Sequence, residues 1–200
     1  IDVWSLGARR RARLRARVLT SVAQRSSDNL FEHLTAAQQL SRLARSRPNG
    51  SDEAELWLGL LGLLHRSEHH PDAMSGGERQ RLAFARAAVA GHRLVIADEP
   101  TSQLDSVSTA QVMDAIETLA ERGVTVLLAT HDRRVLERVD EVIALRDGAI
   151  ASVTAAGSSL AVVDRTGRLQ LPPELRDRFP ERRVRLVWDE ESDRIELERP

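Results

Sequence analysis

Three short apolar runs interrupt an otherwise polar-rich chain: Leu94 to Ala97, Val124 to Ala129 and Val142 to Leu145. Each is continuous rather than alternating, the pattern of strands buried on both faces of a mainly parallel sheet. Between the first two, Val112, Ile116 and Leu119 recur at helical spacing, which predicts a helix over Val107 to Arg122 and hence a βαβ unit. Asp147-Gly148 predicts a tight turn that carries the third strand into Ala149 to Val153 as an edge hairpin. Upstream, Asp52 to His65 reads as an apolar helix after a loop over Ser46 to Ser51, and Glu78 to Ala90 as an amphipathic helix led by Ser75-Gly76-Gly77.

The rhythm changes after Val153. Thr154 to Ser159 is a run of Thr, Ala, Gly and Ser with the composition of a linker. Beyond it the pattern predicts strands over Leu160 to Val163 and Leu169 to Leu171, and a short helix opened by Pro172-Pro173 through Phe179. Two further strands, Val184 to Trp188 and Ile195 to Leu197, flank an acidic turn.

Composition narrows the chemistry. In 200 residues there are 29 basic and 30 acidic side chains, a net charge of −1, so no global field draws nucleic acid or anionic lipid. No cysteine occurs, which excludes disulfides, thiolate metal sites and cysteine nucleophiles. No apolar run reaches the roughly 20 residues that span a bilayer, so a membrane role has to come through a partner. Every basic side chain is arginine; there is no lysine. Six of these arginines fall within Ala8 to Arg17, and without interleaved aromatics a solvated helix or turn is favoured there over a nucleic-acid patch.

Chemistry-bearing residues cluster at the ends of the predicted strands. Asp98 and Glu99 follow the first run directly, and His131 stands just past the second. Ligands of open α/β sheets bind at the carboxyl ends of strands, so these three are candidates for one polar site that holds a cation and activates a water. Ser75, Gly76 and Gly77 sit where a helix begins, with unpaired N–H groups and the positive end of the helix dipole. Glycines admit an anion close to that backbone, and the pair is expected to meet a phosphate.

These pieces together resemble the nucleotide-binding domain of ATP-binding cassette (ABC) transporters. "MSGGERQR" is similar to the family's signature motif, "LVIADEP" to its Walker B strand, "SQLD" to the D-loop and "THD" to the switch histidine, in the family's order. "VLTSVAQRSSDNLFEHLT" resembles the Q-loop region, with Gln24 as its glutamine. The resemblance covers about residues 1 to 153 and implies an α/β, P-loop NTPase-like domain with a helical subdomain. It implies ATP and Mg²⁺ as cofactors, with Asp98 and Gln24 at the metal and Glu99 polarising the attacking water. It further implies that His131 senses the γ-phosphate and that Asp105 bridges two nucleotide sites. Ser75, Gly76, Gly77 and Glu78 would face the ATP held by an opposite subunit. A second ATPase subunit and a membrane permease are the implied partners, on the cytoplasmic face of the membrane.

The family grips phosphate with G-x-x-x-x-G-K-[ST]. A chain without lysine has no such motif, and its opening on Ile1 leads to the expectation that this segment lies upstream. The branch resembled most is the lipoprotein-release and macrolide-export type, which usually has glycine and asparagine where Ser102 and Gln103 stand. Only about 50 residues separate Gln24 from Ser75, too few for the long coiled-coil insertion of DNA-repair ABC ATPases. The stretch "VVDRTGRLQLPPELRDRF" resembles the AbrB/SpoVT swapped-hairpin type, implying a ββαββ domain over 160–200 after a linker over 154–159. Its acids offset its arginines, which favours dimerisation over DNA binding. Two rival readings remain beside an ABC transporter ATPase: a non-catalytic partner lending its signature motif, and a DNA-binding regulator acting through the tail.

Overall fold

A computed structural model describes residues 2–45, 50–102, 104–146, 148–155, 158–162, 171, 178–179, 183–189 and 194–198. The chain forms two compact units, Ile1–Glu137 and Arg138–Pro200.

The first unit opens with helix α1 (Ala8–Val18), the arginine-rich segment, which buries no residue. Strand β1 (Leu19–Val22) follows, an element with no apolar run to announce it because Thr20 and Ser21 stand between its two apolar residues. It pairs in parallel with β2 (Leu94–Asp98), which pairs in parallel with β3 (Thr125–Ala129). Between β1 and β2 lie α2 (Ala36–Ala44), α3 (Gly50–Leu60) and α4 (Gly76–Ala90); α5 (Ser106–Glu121) connects β2 to β3, and α6 (Arg133–Leu136) ends the unit.

The helices α2, α3 and α4 pack on one another, and α4 also packs on β1 while α5 packs on β3. Their shared core holds Leu40, Trp57, Leu61, Leu82 and Phe84, each at most 1% exposed. Burying a Phe or Leu side chain fully contributes roughly 1.5–3 kcal/mol, so this cluster holds the helical layer on the sheet.

The sheet is not buried on both faces. Val22, Val95 and Ala97 are buried on the helix side, but Leu127 on the other face of β3 is 53% exposed among the described residues. Nor does the apolar helix run to His65. It ends at Leu60 because Gly62 takes φ +66, and Leu63 N–H reaches back to Leu58 C=O at 2.7 Å. That is a Schellman-type stop, after which Leu64–Arg66 form a single 3₁₀ turn.

In the second unit β4 (Glu141–Arg146) runs antiparallel to β5 (Ala149–Ala155), which runs antiparallel to β6 (Ser158–Ala161). The third apolar run therefore joins an antiparallel sheet, not the parallel one. Gly148 at φ +77 lets the chain reverse locally, so the run meets its sequence neighbour first. The expected linker over 154–159 contributes residues to β5 and β6, and the compact units divide at Glu137, upstream of the expected boundary at 153. A hairpin of β7 (Arg185–Asp189) and β8 (Arg194–Glu198) matches the last two predicted strands. Most of the strand predicted at Leu169 to Leu171 and of the helix predicted from Pro172 lies outside the described residues.

Candidate functional site

Parallel pairing brings the ends of β1, β2 and β3 to one edge. Val22 is level with Ala97, and Asp98 with Ala129. Gln24, Asp98, Glu99 and His131 all leave the sheet at that edge, the position of ligands in open α/β folds.

Glu99 is the pivot. It takes φ 47, the only non-glycine among the described residues with positive φ. Such a conformation costs on the order of 1–3 kcal/mol and persists only when neighbours enforce it. Here the Glu99 N–H donates to Ala129 C=O at 2.8 Å. The Glu99 carbonyl accepts from Ser102 N–H at 3.1 Å and from Ser102 Oγ at 2.9 Å. The turn aims the carboxylate across to β3, where Oε1 lies 2.7 Å from His131 Nδ1 and Oε2 accepts from Thr130 Oγ1 at 3.3 Å. The hydrogen bond to Glu99, then its charge, holds the His131 imidazole above its ordinary range. Asp132 caps α6, accepting from Arg134 N–H at 3.0 Å, and so fixes the backbone just after the histidine.

Asp98 and Gln24 are exposed, and neither side chain has a hydrogen-bond partner among the described residues. Gln24 rides on a loop that Asn29 closes: Asn29 Oδ1 accepts from Ala23 N–H at 2.8 Å and its Nδ2 donates to Ser21 C=O at 3.1 Å. The buried Gln39 holds the following turn, accepting from Phe31 N–H at 3.1 Å and donating to Leu34 C=O at 3.2 Å.

The glycine-led helix is a separate construction. Ser75 is the N-cap of α4, and its Oγ accepts from Glu78 N–H at 3.2 Å while Glu78 Oε2 accepts from Ser75 N–H at 2.8 Å. This is a capping box. Glu78 Oε1 accepts from Arg66 Nε at 2.8 Å. Burial pushes this carboxyl up, but the Ser75 N–H and the Arg66 guanidinium override it and bring it to about 2. The two Glu78 oxygens are thus both engaged, one by the Ser75 N–H of the cap and one by Arg66. Gly76 faces open space, and a Cβ on Gly77 would lie 3.3 Å from Leu104 Cδ2. Asp105 caps α5, accepting from Ser108 N–H at 2.7 Å, and this hydrogen bond lowers its carboxyl.

The sequence carried signals for part of this that the motif reading did not use. Ser75-x-x-Glu78 and Thr35-x-x-Gln38 are both capping-box spellings, and α2 has the second. Arg66 has no local signature; only the fold places it beside Glu78.

Comparisons with known proteins bear on the family and the fold. Residues 4–102 match the family model for ABC transporters. The chain carries an ABC transporter ATPase domain. It is 38% identical over 174 residues to the macrolide export ATP-binding/permease protein MacB of Escherichia coli O157:H7, an alignment covering 82% of this chain and 26% of that protein. Against the pyoverdine export ATP-binding/permease protein PvdT of Pseudomonas putida it is 46% identical over 103 residues, 52% of this chain and 16% of that one. The chain thus spans about a quarter of the length of the MacB relatives it matches. Among solved structures it resembles the ATP-binding cassette MJ0796 bound to ADP and Pi, with TM-score 0.65, 28% identity, and coverage of 76% of this chain and 68% of that one. The cbiO1 protein of Clostridium perfringens, part of the ABC transporter complex cbiONQ, aligns with TM-score 0.62 at 25% identity over 74% of this chain and 61% of that one. The α/β architecture of the first unit is that of the ABC ATPase cassette, a family of ATP hydrolases.

Proposed function

We propose that this chain belongs to a protein that couples ATP hydrolysis to export through a membrane permease, two such ATPase domains pairing head to tail. The observation that carries the reading is the convergence of Gln24, Asp98, Glu99 and His131 at one sheet edge, with Glu99 and His131 in direct contact at 2.7 Å. The export class is supported by the likeness to macrolide and pyoverdine export proteins. No described helix is long and apolar enough to cross a membrane; in this reading the permease is a separate domain or chain, with this domain at its cytoplasmic side.

The residues fit the cofactors in part. Mg²⁺ is usually held by one or two carboxylates together with substrate phosphates and water. Asp98, exposed and unpaired among the described residues, offers the carboxylate, and Gln24 stands on the neighbouring strand end. When bound, Mg²⁺ neutralises charge on the phosphates. Glu99 orients a water for attack and takes its proton; His131 holds that carboxylate in place and presents its ring to the phosphate side. The capped turn at Ser75, Gly76 and Gly77 offers helix N–H groups to the phosphate of ATP bound by a second domain. Asp105 stands at the start of α5 to reach across the same interface. Gripping ATP itself falls to a phosphate loop, which these 200 residues do not contain.

The tail supports pairing of a different kind. Leu186 faces Leu197 and Trp188 faces Ile195 across β7 and β8, making one apolar face. Leu186, Trp188 and Ile195 on that face are 65%, 56% and 62% exposed. A second copy of the AbrB/SpoVT-like hairpin would cover it, keeping two ATPase domains near each other between turnovers.

Glu99→Gln in the full-length protein tests the reading. The amide keeps the contact with His131 but is a poor base, and losing a general base costs about 10²–10⁴ in rate. ATP affinity is expected to persist while turnover falls by that factor. Wild-type hydrolysis in the variant would remove Glu99 from the mechanism.

A further inference from the structure

Two loops carry the nucleotide contacts in the function proposed above: the glycine-led start of α4 and the turn at Asp105. In the folded chain they are linked. Arg81 lies one turn into α4, four residues after Gly77, and helical side chains of this length lean back toward the preceding turn. Its Nη1 lies 3.9 Å from the place a Gly77 Cβ would occupy. The same Nη1 donates to Ser108 Oγ in the first turn of α5. Ser108 N–H in turn donates to Asp105 Oδ1 at 2.7 Å. Leu104, the residue before the cap, packs 3.3 Å from that same Gly77 position. A polar chain and an apolar contact therefore join the same two loops side by side.

Packing alone does not account for an arginine here. Its Nε is buried without a hydrogen-bond partner among the described residues. An apolar side chain would fill the space without leaving that donor unmet, and a buried unmet donor is unfavourable. What a guanidinium supplies and an apolar side chain does not is reach combined with a charged donor on Ser108, within range of the Asp105 carboxylate. The charge of Arg81 also helps to hold that carboxylate below its usual range, after the larger effect of the Ser108 hydrogen bonds.

We propose that Arg81 is a positioning residue that ties the Ser75–Gly77 turn to the Leu104–Asp105 turn, so that the two loops move as one body. The helices α2, α3 and α4 pack together, and α5 packs on β3 and also directly on α4 and α3. To that packing Arg81 adds a polar tie from α4 to the cap of α5, through which a shift of the helical layer reaches the Asp105 turn. In a head-to-tail pair, one chain's response to phosphate at its glycine turn becomes a displacement of its Asp105 loop. The meaning of the coupling rests on the proposed function; the coupling itself does not.

Amide hydrogen exchange on the 200-residue chain separates the two. Arg81→Met is expected to speed exchange roughly ten-fold, the effect of losing one hydrogen bond to a charged group, at both 76–80 and 104–109. Ser108→Ala, a smaller change that retains the fold should Arg81→Met lose it, is expected to loosen 76–80 in the same way. The double variant should add little to either, and Arg81→Lys should restore part of the protection. Faster exchange confined to α4, or no response of 76–80 to Ser108→Ala, overturns the link. In the full-length protein, Arg81→Met is expected to lower kcat for ATP by about ten-fold or more with KM little changed, since misplacement remote from the chemistry costs up to about 10²-fold. Coupled exchange with an unchanged kcat overturns the inference that the link serves turnover. A wild-type protein that does not hydrolyse ATP would instead remove the proposed function, and the exchange data would decide the link alone.

Discussion

Replacing Glu78 by Gln isolates the charge at the start of α4. Glutamine also completes a capping box, so the N–H of Ser75 keeps its acceptor and the helix keeps its start. What disappears is the ion pair with Arg66 at 2.8 Å, between a Glu78 side chain 11% exposed and an Arg66 side chain 34% exposed, together with the approach of His65 Nε2 to the same oxygen at 3.8 Å. The carboxyl stands at about 2 instead of 4.5. At about 1.4 kcal/mol per pH unit, a drop of that size sets a ceiling of about 3 kcal/mol. Solvent around Arg66 screens the pair, which brings the expected loss to about 1–2 kcal/mol at pH 7. A depressed folded pKa stabilises fully above the unfolded value and loses that contribution as pH falls through the folded one. The difference between wild type and variant is therefore expected to hold above pH 4.5 and to shrink progressively toward pH 2. Urea denaturation at a series of pH values measures it, followed by the fluorescence of Trp57, which is 1% exposed in the same unit. A difference that stays flat from pH 7 to the acid limit, or a variant as stable as wild type at pH 7, would refute the reasoning.

The exposed His131 ring is expected to titrate above 6.5 in the wild type by NMR, and Glu99→Gln should bring it back down, because the carboxylate is what favours the protonated form. That protonated pairing is complete below the unfolded pKa and disappears as pH rises through the folded one, so the His131–Glu99 contact weakens toward alkaline pH. Arg122→Ala removes contacts to both Glu53 oxygens, at 2.9 and 3.1 Å, and a guanidinium 5.3 Å from the Trp57 ring centroid. A loss of about 1 kcal/mol in urea is expected, the sum of an exposed pair and a cation–π contact. Calorimetric titration of the 200-residue chain with ATP should show no micromolar binding, because the chain has neither a lysine nor a phosphate loop.

Much of the local structure was legible in the residues themselves. The helical spacing of Val112, Ile116 and Leu119 placed α5 to within a residue at each end, and the runs at Leu94 and Val124 became β2 and β3. The Gly-led turn at Ser75, the acids after β2 and the histidine after β3 stood in one order in the chain, and motif order survives folding. These features depend on neighbours within one helical turn or one strand, which the linear pattern encodes directly. Run composition, by contrast, does not name a strand's partner. The run at Val142 has the same continuous apolar character as the first two; the turn residues after it predicted its hairpin with Ala149 onward, which closes a short loop at small entropic cost, but not that this hairpin belongs to a sheet other than the parallel one. The helix predicted to His65 stopped at Leu60 because one backbone torsion, at Gly62, turned left-handed. Nothing in the motif around Glu78 names the partners of its carboxylate, which the fold sets against the Ser75 N–H and Arg66. Arg81 meets Ser108 across 27 positions of sequence, and Glu99 meets His131 across 32. Such pairs exist only once packed helices and a shared sheet edge have settled the distances between them, and side-chain orientation at the site is decided there.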